Sequence, residues 1–145
     1  MCIRDSFDAG HERRIVEWRG FRFNLQVCYD LRFPVFARNR QSDRYDVLLY
    51  VANWPEARRD PWMTLLKARA IENQVYVVGV NRVGLDGKDI SYSGDSMMLD
   101  AKGQELWRGK RGEVAIETVT LDLDELNRFR TQFPVGDDAD RFQIL

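Results

Sequence analysis

The sequence predicts an α/β fold built on a mixed sheet. Two continuous apolar runs, residues 46–52 and 75–80, have the composition of strands covered on both faces, as in parallel sheets. Residues 58–73, between them, show helical spacing, and alternating segments that favour antiparallel hairpins lie on both sides of the pair. The expected order of elements is therefore β-β-α-β-α-β-β-β-β-α.

The first predicted element, after a charged loop over residues 1–14, is a hairpin. Residues 14–18 and 21–27 have strand character, and Arg19 and Gly20 between them suit a tight turn. In the second strand the apolar residues share one parity and the polar residues the other: Phe21, Phe23, Leu25 and Val27 against Arg22, Asn24 and Gln26. This period of two predicts one apolar face.

Cys28 follows this strand, where the chain turns toward a helix that Pro34 can begin. A thiol in this position lies at the carboxyl end of a strand, where open α/β sheets bind their ligands. A nearby helix start also favours the nucleophilic thiolate. The alternative, a small buried hydrophobic residue, stays open on these residues alone.

A second strand end carries an amide and an indole. Asn53 and Trp54, followed by Pro55, end the apolar run 46–52. If Cys28 is a nucleophile, both side chains are candidates for contact with the substrate. The alternatives are a local turn for Asn53 and core packing for Trp54.

The helical segment 58–73 carries polar residues on its apolar stripe. Arg69 and Asn73 lie on this stripe, and Glu72 follows Arg69 by three residues. Buried polar groups must be paired, so a structural network is favoured over direct catalysis. We expect Arg69 to be buried and paired with a carboxylate, with Glu72 as the local candidate and Asp30 as the distant one.

The rest of the chain predicts a β-rich segment and a short helix. Residues 97–100 and 105–107 suit a hairpin, and residues 113–120 alternate like a half-exposed strand. Residues 123–130 suit a short helix with one apolar side.

Composition excludes several classes of function. The chain has 145 residues, 44% hydrophobic and 31% charged, and a net charge of -1, which favours neither nucleic acid nor an anionic membrane as a partner. No apolar run approaches the about 18 residues of a membrane span, and the first residues do not resemble a signal peptide. Two cysteines form no disulfide framework, which favours a cytoplasmic location.

Metal and serine-triad chemistry are also disfavoured. One histidine, His11, and two cysteines, Cys2 and Cys28, form no spaced set of metal ligands, so neither a metal nor another cofactor is expected. A Ser-His-Asp triad would have to use His11, which lies in a charged run.

Four blocks of the sequence resemble the nitrilase superfamily of carbon–nitrogen hydrolases. They are residues 27–34, residues 53–55, residues 68–74, and residues 81–84 followed by 92–96. Four blocks in order make the resemblance specific, and the bacterial omega-amidases are the most similar branch. The resemblance runs from about Glu12, so we expect residues 1–11 to be an unmatched segment and 12–145 to be a partial carbon–nitrogen hydrolase domain.

The resemblance implies a fold and a set of partners. The family fold is a four-layer α-β-β-α sandwich with mixed sheets, of which this chain resembles the C-terminal half. Members of the family form homodimers. The implied partner is a small-molecule amide, with no cofactor, nucleic acid or membrane.

The resemblance also implies a mechanism. A cysteine attacks the amide carbon, a glutamate acts as general base, a lysine stabilises the oxyanion, and water hydrolyses the thioester. On this sequence Cys28 is the nucleophile, the N–H of Tyr29 is an oxyanion donor, and Asn53 and Trp54 contact the substrate. A structural polar network comprises Asp30, Arg32, Arg69, Glu72 and Asn73. The implied substrate is the side-chain amide of a small 2-oxo acid such as 2-oxoglutaramate.

The family's glutamate and lysine lie well upstream of its cysteine, and here 27 residues precede Cys28. Residues 1–27 contain no lysine, and neither Glu12 nor Glu17 fits the family position of the base. Two functions therefore stay open. One is an amidohydrolase that is incomplete as given, and the other is a non-catalytic α/β module that binds a small acid or a partner chain.

Overall fold

The computed structural model describes residue 10 and residues 12–140, arranged around one central sheet. The strands are β1 (Arg14–Trp18), β2 (Phe21–Val27), β3 (Val47–Ala52), β4 (Tyr76–Asn81), β5 (Val83–Leu85), β6 (Ser91–Ser93), β7 (Met97–Leu99) and β8 (Glu105–Arg108). The helices are α1 (Pro34–Ala37), α2 (Arg59–Asn73) and α3 (Leu123–Gln132). The central sheet has six strands in the order β1-β2-β3-β4-β7-β8, and β5 and β6 pair separately.

The predicted mixed sheet is confirmed. Strands β2, β3 and β4 are parallel, whereas β1, β7 and β8 are antiparallel to their neighbours. Val27, Val51 and Val80 lie side by side near the carboxyl ends of the parallel strands. Cys28 and Asn53 follow at that same edge of the sheet.

The predicted hairpin at the start of the sheet is also present. β1 and β2 pair antiparallel, with Trp18 opposite Phe21. Arg19 and Gly20 have φ values of 50° and 83°, which two-residue hairpin turns of the favoured hand require. The predicted loop over residues 1–14 lies largely outside the described residues, as do Cys2 and His11.

Helix α2 covers one face of the sheet. Trp62 and Leu66 are almost completely buried and belong to the main hydrophobic core. The polar side chains of β2 point to this covered face, and Asn24 and Gln26 are only 0% and 3% exposed. The polar side of β2, and not its apolar side, is therefore the more deeply buried one.

The opposite face of the sheet is apolar and only partly covered. At its amino end, Leu126 and Phe129 of α3 pack with Val47 and Tyr76. At its carboxyl end four aliphatic side chains, which we call the open face, are 41–60% exposed: Leu25, Val27, Val51 and Val80. Contiguous apolar surface of this kind marks a site of contact with another protein segment.

Gly79 on β4 permits the close approach of α2. A Cβ there would lie 2.5 Å from Cδ1 of Leu66 and 2.9 Å from Cζ2 of Trp62. Gly79→Ala is expected to lower the free energy of unfolding by about 1–3 kcal/mol, because the core must shift to admit the methyl group. Urea denaturation measures this loss.

Gly87 supplies the control for this substitution, because a Cβ there meets nothing within 4 Å. Gly87→Ala is expected to change the free energy of unfolding by less than about 0.5 kcal/mol. Equal stabilities for the two variants would contradict the packing described for α2.

One sequence prediction about an element needs correction. Residues 113–120 form no regular structure, and Val114 and Ile116 are 85% and 98% exposed. A strand needs a neighbour for its N–H and C=O groups, and among the described residues none pairs with this segment. The helix predicted to begin at Pro34 is present and is a single turn that ends at Ala37.

The remaining helices agree with the predictions. The helix predicted at residues 58–73 is α2, and the one predicted at 123–130 is α3. Within the part of the chain that the structure describes, no helix is long and apolar enough to cross a membrane.

Candidate active site

Cys28 occupies a strained position at the carboxyl edge of the sheet. It follows β2 directly and begins a 3-10 turn, Cys28–Arg32, which we call the Cys28 turn. Its φ is +44°, a left-handed conformation that is uncommon for a residue with a Cβ. Such strain persists only where the surroundings hold it, and it is concentrated at functional sites.

The Cys28 thiol lies between opposing electrostatic influences. Burial is the largest of them and raises the pKa of the Cys28 thiol above its ordinary value, with Asp30 acting in the same direction. Hydrogen bonds from the backbone N–H groups of Asn53 and Tyr29 lower this pKa, as does the charge of Arg58. Because the net shift is upward, the neutral thiol dominates at neutral pH, and nucleophilic attack requires a base.

The raised pKa can be tested by alkylation of Cys28 with iodoacetamide over a range of pH. The thiolate is the reactive form, so the folded chain is expected to reach half-maximal rate at a higher pH than the same chain unfolded in urea. Mass spectrometry of the peptide that contains Cys28 measures the rate. A midpoint at or below that of the unfolded chain would contradict the burial described for this thiol.

The backbone N–H groups of Tyr29 and Asn53 lie near enough to the sulfur to lower its pKa. The phenol of Tyr29 is 48% exposed and packs edge-on against Phe33, with ring centroids 5.4 Å apart. The side chain of Asn53 is also exposed. The structure therefore brings two N–H groups from different strand ends to the thiol, and leaves both side chains free of the core.

Trp54 is buried in the structure, and its contact with a substrate stays a prediction. Its side chain is 4% exposed, and its ring lies 5.5 Å from that of Trp62. The indole N–H donates to the carbonyl of Arg58 at 2.6 Å. Core packing, the alternative that the sequence left open, describes this side chain, because the chain turns inward directly after Asn53.

Asn81 connects three segments at the same edge, and we assigned it no role from the sequence beyond its place in a family block. Its Oδ1 accepts from the N–H of Trp54 at 2.7 Å, and its Nδ2 donates to the carbonyls of Trp54 and Gly94 at 3.0 and 2.8 Å. The sequence feature that could have indicated this role is the position of a polar residue at the end of a buried strand, which Asn81 shares with Asn53.

Two residues of the Cys28 turn, Asp30 and Arg32, attach it to neighbouring segments. Oδ2 of Asp30 accepts from the N–H of Val27 at 2.9 Å. The guanidinium of Arg32 lies over the ring of Trp54, 5.0 Å from its centroid. Asp30 therefore caps the turn and is not the partner of Arg69.

Arg69 holds the turn from α2. It is 3% exposed, and its guanidinium donates to Oε1 of Glu72 at 2.9 Å and to the carbonyl of Leu31 at 2.7 Å. Asn73, 5% exposed, donates to the carbonyl of Arg69 and accepts from the N–H of Asn39. These contacts link α2 to the Cys28 turn and to the loop before β3.

The structure also contains a cleft of about 470 Å³, but at the other end of the sheet. Residues 38–41, the end of α2 and part of α3 line it, which places it near the amino ends of β3 and β4. Cys28 lies at the carboxyl ends, so this cleft does not serve the thiol. No group of three or more His, Cys, Asp or Glu side chains in the described part of the chain could hold a metal ion.

Comparison with known proteins identifies the family. The carbon–nitrogen hydrolase model matches residues 3–131, and the chain therefore belongs to the carbon–nitrogen hydrolase family. The match extends upstream of residue 12, where we placed the start of the domain, and that boundary stays a prediction.

Several curated relatives are amidases. Omega-amidase YafV of Yersinia enterocolitica is 53% identical over 137 residues, which are 94% of this chain and 53% of that protein. Omega-amidase YafV of Escherichia coli K12 is 46% identical over 95% of this chain and 53% of its own length. The 2-oxoglutaramate amidase of Bacillus subtilis is 38% identical, and the match covers 90% of this chain and 49% of that protein. The chain thus spans about half the length of the curated relatives it matches.

Solved structures confirm the nitrilase-superfamily fold. XC1258 of Xanthomonas campestris, a CN-hydrolase superfamily protein with an arsenic adduct in its active site, superposes with a TM-score of 0.91. It is 47% identical, and the match covers 95% of this chain and 54% of that one. Nit3 of Saccharomyces cerevisiae, of the nitrilase superfamily, has a TM-score of 0.76 at 23% identity and shares the fold.

Proposed function

We propose that this chain is the nucleophile-bearing part of an amidohydrolase of the omega-amidase type. The observation that carries the proposal is the strained left-handed conformation of Cys28 at the carboxyl edge of the sheet, where backbone N–H groups of Tyr29 and Asn53 lie near its sulfur. A thiol placed in this way among fixed donors suits attack on a carbonyl carbon.

The proposed substrate is the side-chain amide of a small 2-oxo dicarboxylic acid monoamide such as 2-oxoglutaramate. Curated relatives with the names omega-amidase and 2-oxoglutaramate amidase support this choice. The products are the 2-oxo dicarboxylic acid and ammonia.

The proposed reaction has two halves. Cys28, deprotonated by a base, attacks the amide carbon through its sulfur, and the N–H of Tyr29 donates to the oxyanion. The tetrahedral intermediate expels the nitrogen as ammonia, which takes a proton from the base, and a thioester remains on Cys28. Water then attacks the thioester, releasing the acid and restoring the thiol.

The base and a lysine for the oxyanion are proposed to come from a segment that covers the open face. This face lies beside Cys28, and its side chains are about half exposed. Segment 113–120, which pairs with no strand in the described part of the chain, offers such a partner further backbone N–H and C=O groups. The curated relatives contain about as many further residues as this chain has matched, which suffices for a second sheet.

One observation favours the alternative, a non-catalytic binding module. The pKa of the Cys28 thiol is raised by burial, so the chain by itself does not present a thiolate at neutral pH. A thiol that no base activates is a poor nucleophile.

The proposed function is tested by fusing the first half of YafV from Yersinia enterocolitica to this chain and measuring ammonia release from 2-oxoglutaramate. Activity in the fusion and its loss in Cys28→Ala support the amidohydrolase. A folded fusion that binds 2-oxoglutaramate without releasing ammonia supports the binding module instead.

A further inference from the structure

Four polar side chains lie buried between the covered face of the sheet and α2, three of them on strands and one, Arg69, on α2. Asn24, Gln26, Tyr50 and Arg69 are 0–3% exposed. Nε2 of Gln26 donates to Oδ1 of Asn24 at 3.0 Å. Polar side chains in such a position cost free energy that apolar ones would not, so a role beyond packing is expected of them.

This cluster is under-satisfied in hydrogen bonds. Nδ2 of Asn24, Oε1 of Gln26, Oη of Tyr50 and Nε of Arg69 have no hydrogen-bond partner among the described residues. Burial raises the pKa of the Tyr50 phenol, which stays neutral beside the guanidinium of Arg69. Arg69 is therefore the one permanent charge in this cluster.

Arg69 reaches from this cluster into the Cys28 turn. Its Nη2 donates to the carbonyl of Leu31 at 2.7 Å, and its Nη1 donates to Glu72 at 2.9 Å. Leu31 is completely buried, and without Arg69 its carbonyl would lose this donor. Asp30 fixes the start of the turn on the N–H of Val27, whereas Arg69 fixes its end.

We propose that Arg69 is a positioning residue for Cys28: by holding the Leu31 carbonyl, it fixes the turn that keeps Cys28 in its left-handed conformation, with the sulfur near the N–H groups of Asn53 and Tyr29. The proposal rests on the proposed role of Cys28 as nucleophile. Arg69 touches neither the sulfur nor the substrate in this account, and acts only through the turn.

The test is Arg69→Lys, made in a Cys2→Ala background so that Cys28 is the single thiol. If the turn relaxes, the thiol loses its burial, which is the largest influence on its pKa, together with the opposing N–H groups of Asn53 and Tyr29. Its alkylation midpoint is therefore expected to move down toward that of the unfolded chain. The alkylation rate at neutral pH rises about tenfold for each pH unit of that movement. The other groups that influence the thiol, Asp30, Arg58 and Tyr92, are unchanged in the variant.

In the fusion with the first half of YafV, the same variant is expected to lower kcat for 2-oxoglutaramate at least about tenfold with little change in KM, since a misplaced nucleophile affects the chemical step. A loss of stability alone also exposes the thiol and lowers turnover, so positioning is distinguished from it by comparison with a variant that loses stability at a site away from Cys28.

Arg130→Lys is the matched control. Arg130 is 9% exposed and donates to Asp46 and to the carbonyls of Gln74 and Tyr45, far from Cys28. The Arg130→Lys variant is expected to be less stable than the unsubstituted chain and to have the same pH profile of Cys28 alkylation. If Arg69→Lys does not unfold cooperatively, Glu72→Gln is used instead, because it weakens the contact that orients the guanidinium. The alkylation midpoint is then expected to move in the same direction by a smaller amount.

The positioning role would be overturned if both Arg69→Lys and Glu72→Gln had the same alkylation profile and the same kcat as the protein that carries neither substitution. Failure of the proposed function gives a different result: the fusion then releases no ammonia even with Arg69 intact, whereas the alkylation shift is measured independently of turnover.

Discussion

The purified chain alone is expected to release ammonia from 2-oxoglutaramate at a rate close to the uncatalysed background. Amide hydrolysis needs a thiolate, a proton for the departing ammonia and a stabilised oxyanion. General acid–base help contributes about 10²–10⁴-fold and one oxyanion donor about 10²–10³-fold. Losing both costs about 10⁴-fold or more, although the N–H of Tyr29 and the fold around Cys28 are present.

The lysines of this chain do not replace the missing oxyanion donor. They are Lys67, Lys88, Lys102 and Lys110. Lys67 is exposed on α2, and the others lie in or beside turns.

Mixing the chain with a separately expressed first half of YafV is expected to restore most of the lost rate.

Ammonia release measured for the chain alone, for the mixture, and for the mixture with Cys28→Ala provides the comparison. Only the mixture with Cys28 intact is expected to turn over. Substantial turnover by the chain alone, abolished by Cys28→Ala, would show that the chain carries its own base and oxyanion donor.

Arg69→Ala is expected to lower the free energy of unfolding by about 3–5 kcal/mol, as is usual when one partner of a buried pair is removed. The substitution leaves the buried Leu31 carbonyl without its donor and the Glu72 carboxylate without its cation. It also removes a guanidinium that is 3% exposed and packed under the sheet. Urea denaturation followed by circular dichroism measures the change.

Lys67→Ala is the control on the same helix, since Lys67 is exposed. A change of less than about 0.5 kcal/mol is expected there. If Arg69→Ala is as stable as Lys67→Ala, the Arg69 contacts contribute nothing to the fold, and both its structural role and its positioning role fail.

The parallel centre of the sheet could be predicted because its signal is local. Residues 46–52 and 75–80 are continuous apolar runs, and such runs favour strands in the interior of a parallel sheet. The first hairpin was equally predictable, because Arg19 and Gly20 form a turn that only a few residue types favour. The position of Cys28 follows from the same signals.

What could not be predicted depends on contacts distant in sequence. The alternation in β2 defined two faces, but the arrangement of α2 and α3 decides which is covered, and it leaves Leu25 exposed while Asn24 is buried. Residues 113–120 alternate like a strand, yet alternation forms no strand without a neighbour.

Those parts of the site that depend on local spacing could be predicted, and those that depend on distant contacts could not. Cys28 and the pairing of Arg69 with Glu72 follow from local spacing. The inward packing of Trp54 and the bridging role of Asn81 depend on how two strand ends meet, which no local pattern encodes. The family resemblance supplied the chemistry expected of the thiol.

The central claim, that Cys28 forms a thioester with the acyl group of an amide, is tested most directly by trapping that species. The mixture with the first half of YafV is incubated with 2-oxoglutaramate, quenched in acid within the first turnovers, and digested for mass spectrometry. The account predicts an adduct on the peptide that contains Cys28, with the mass of the substrate less ammonia, which disappears when substrate is exhausted. Continuing ammonia release with Cys28 unmodified, or with the adduct on another residue, would contradict it.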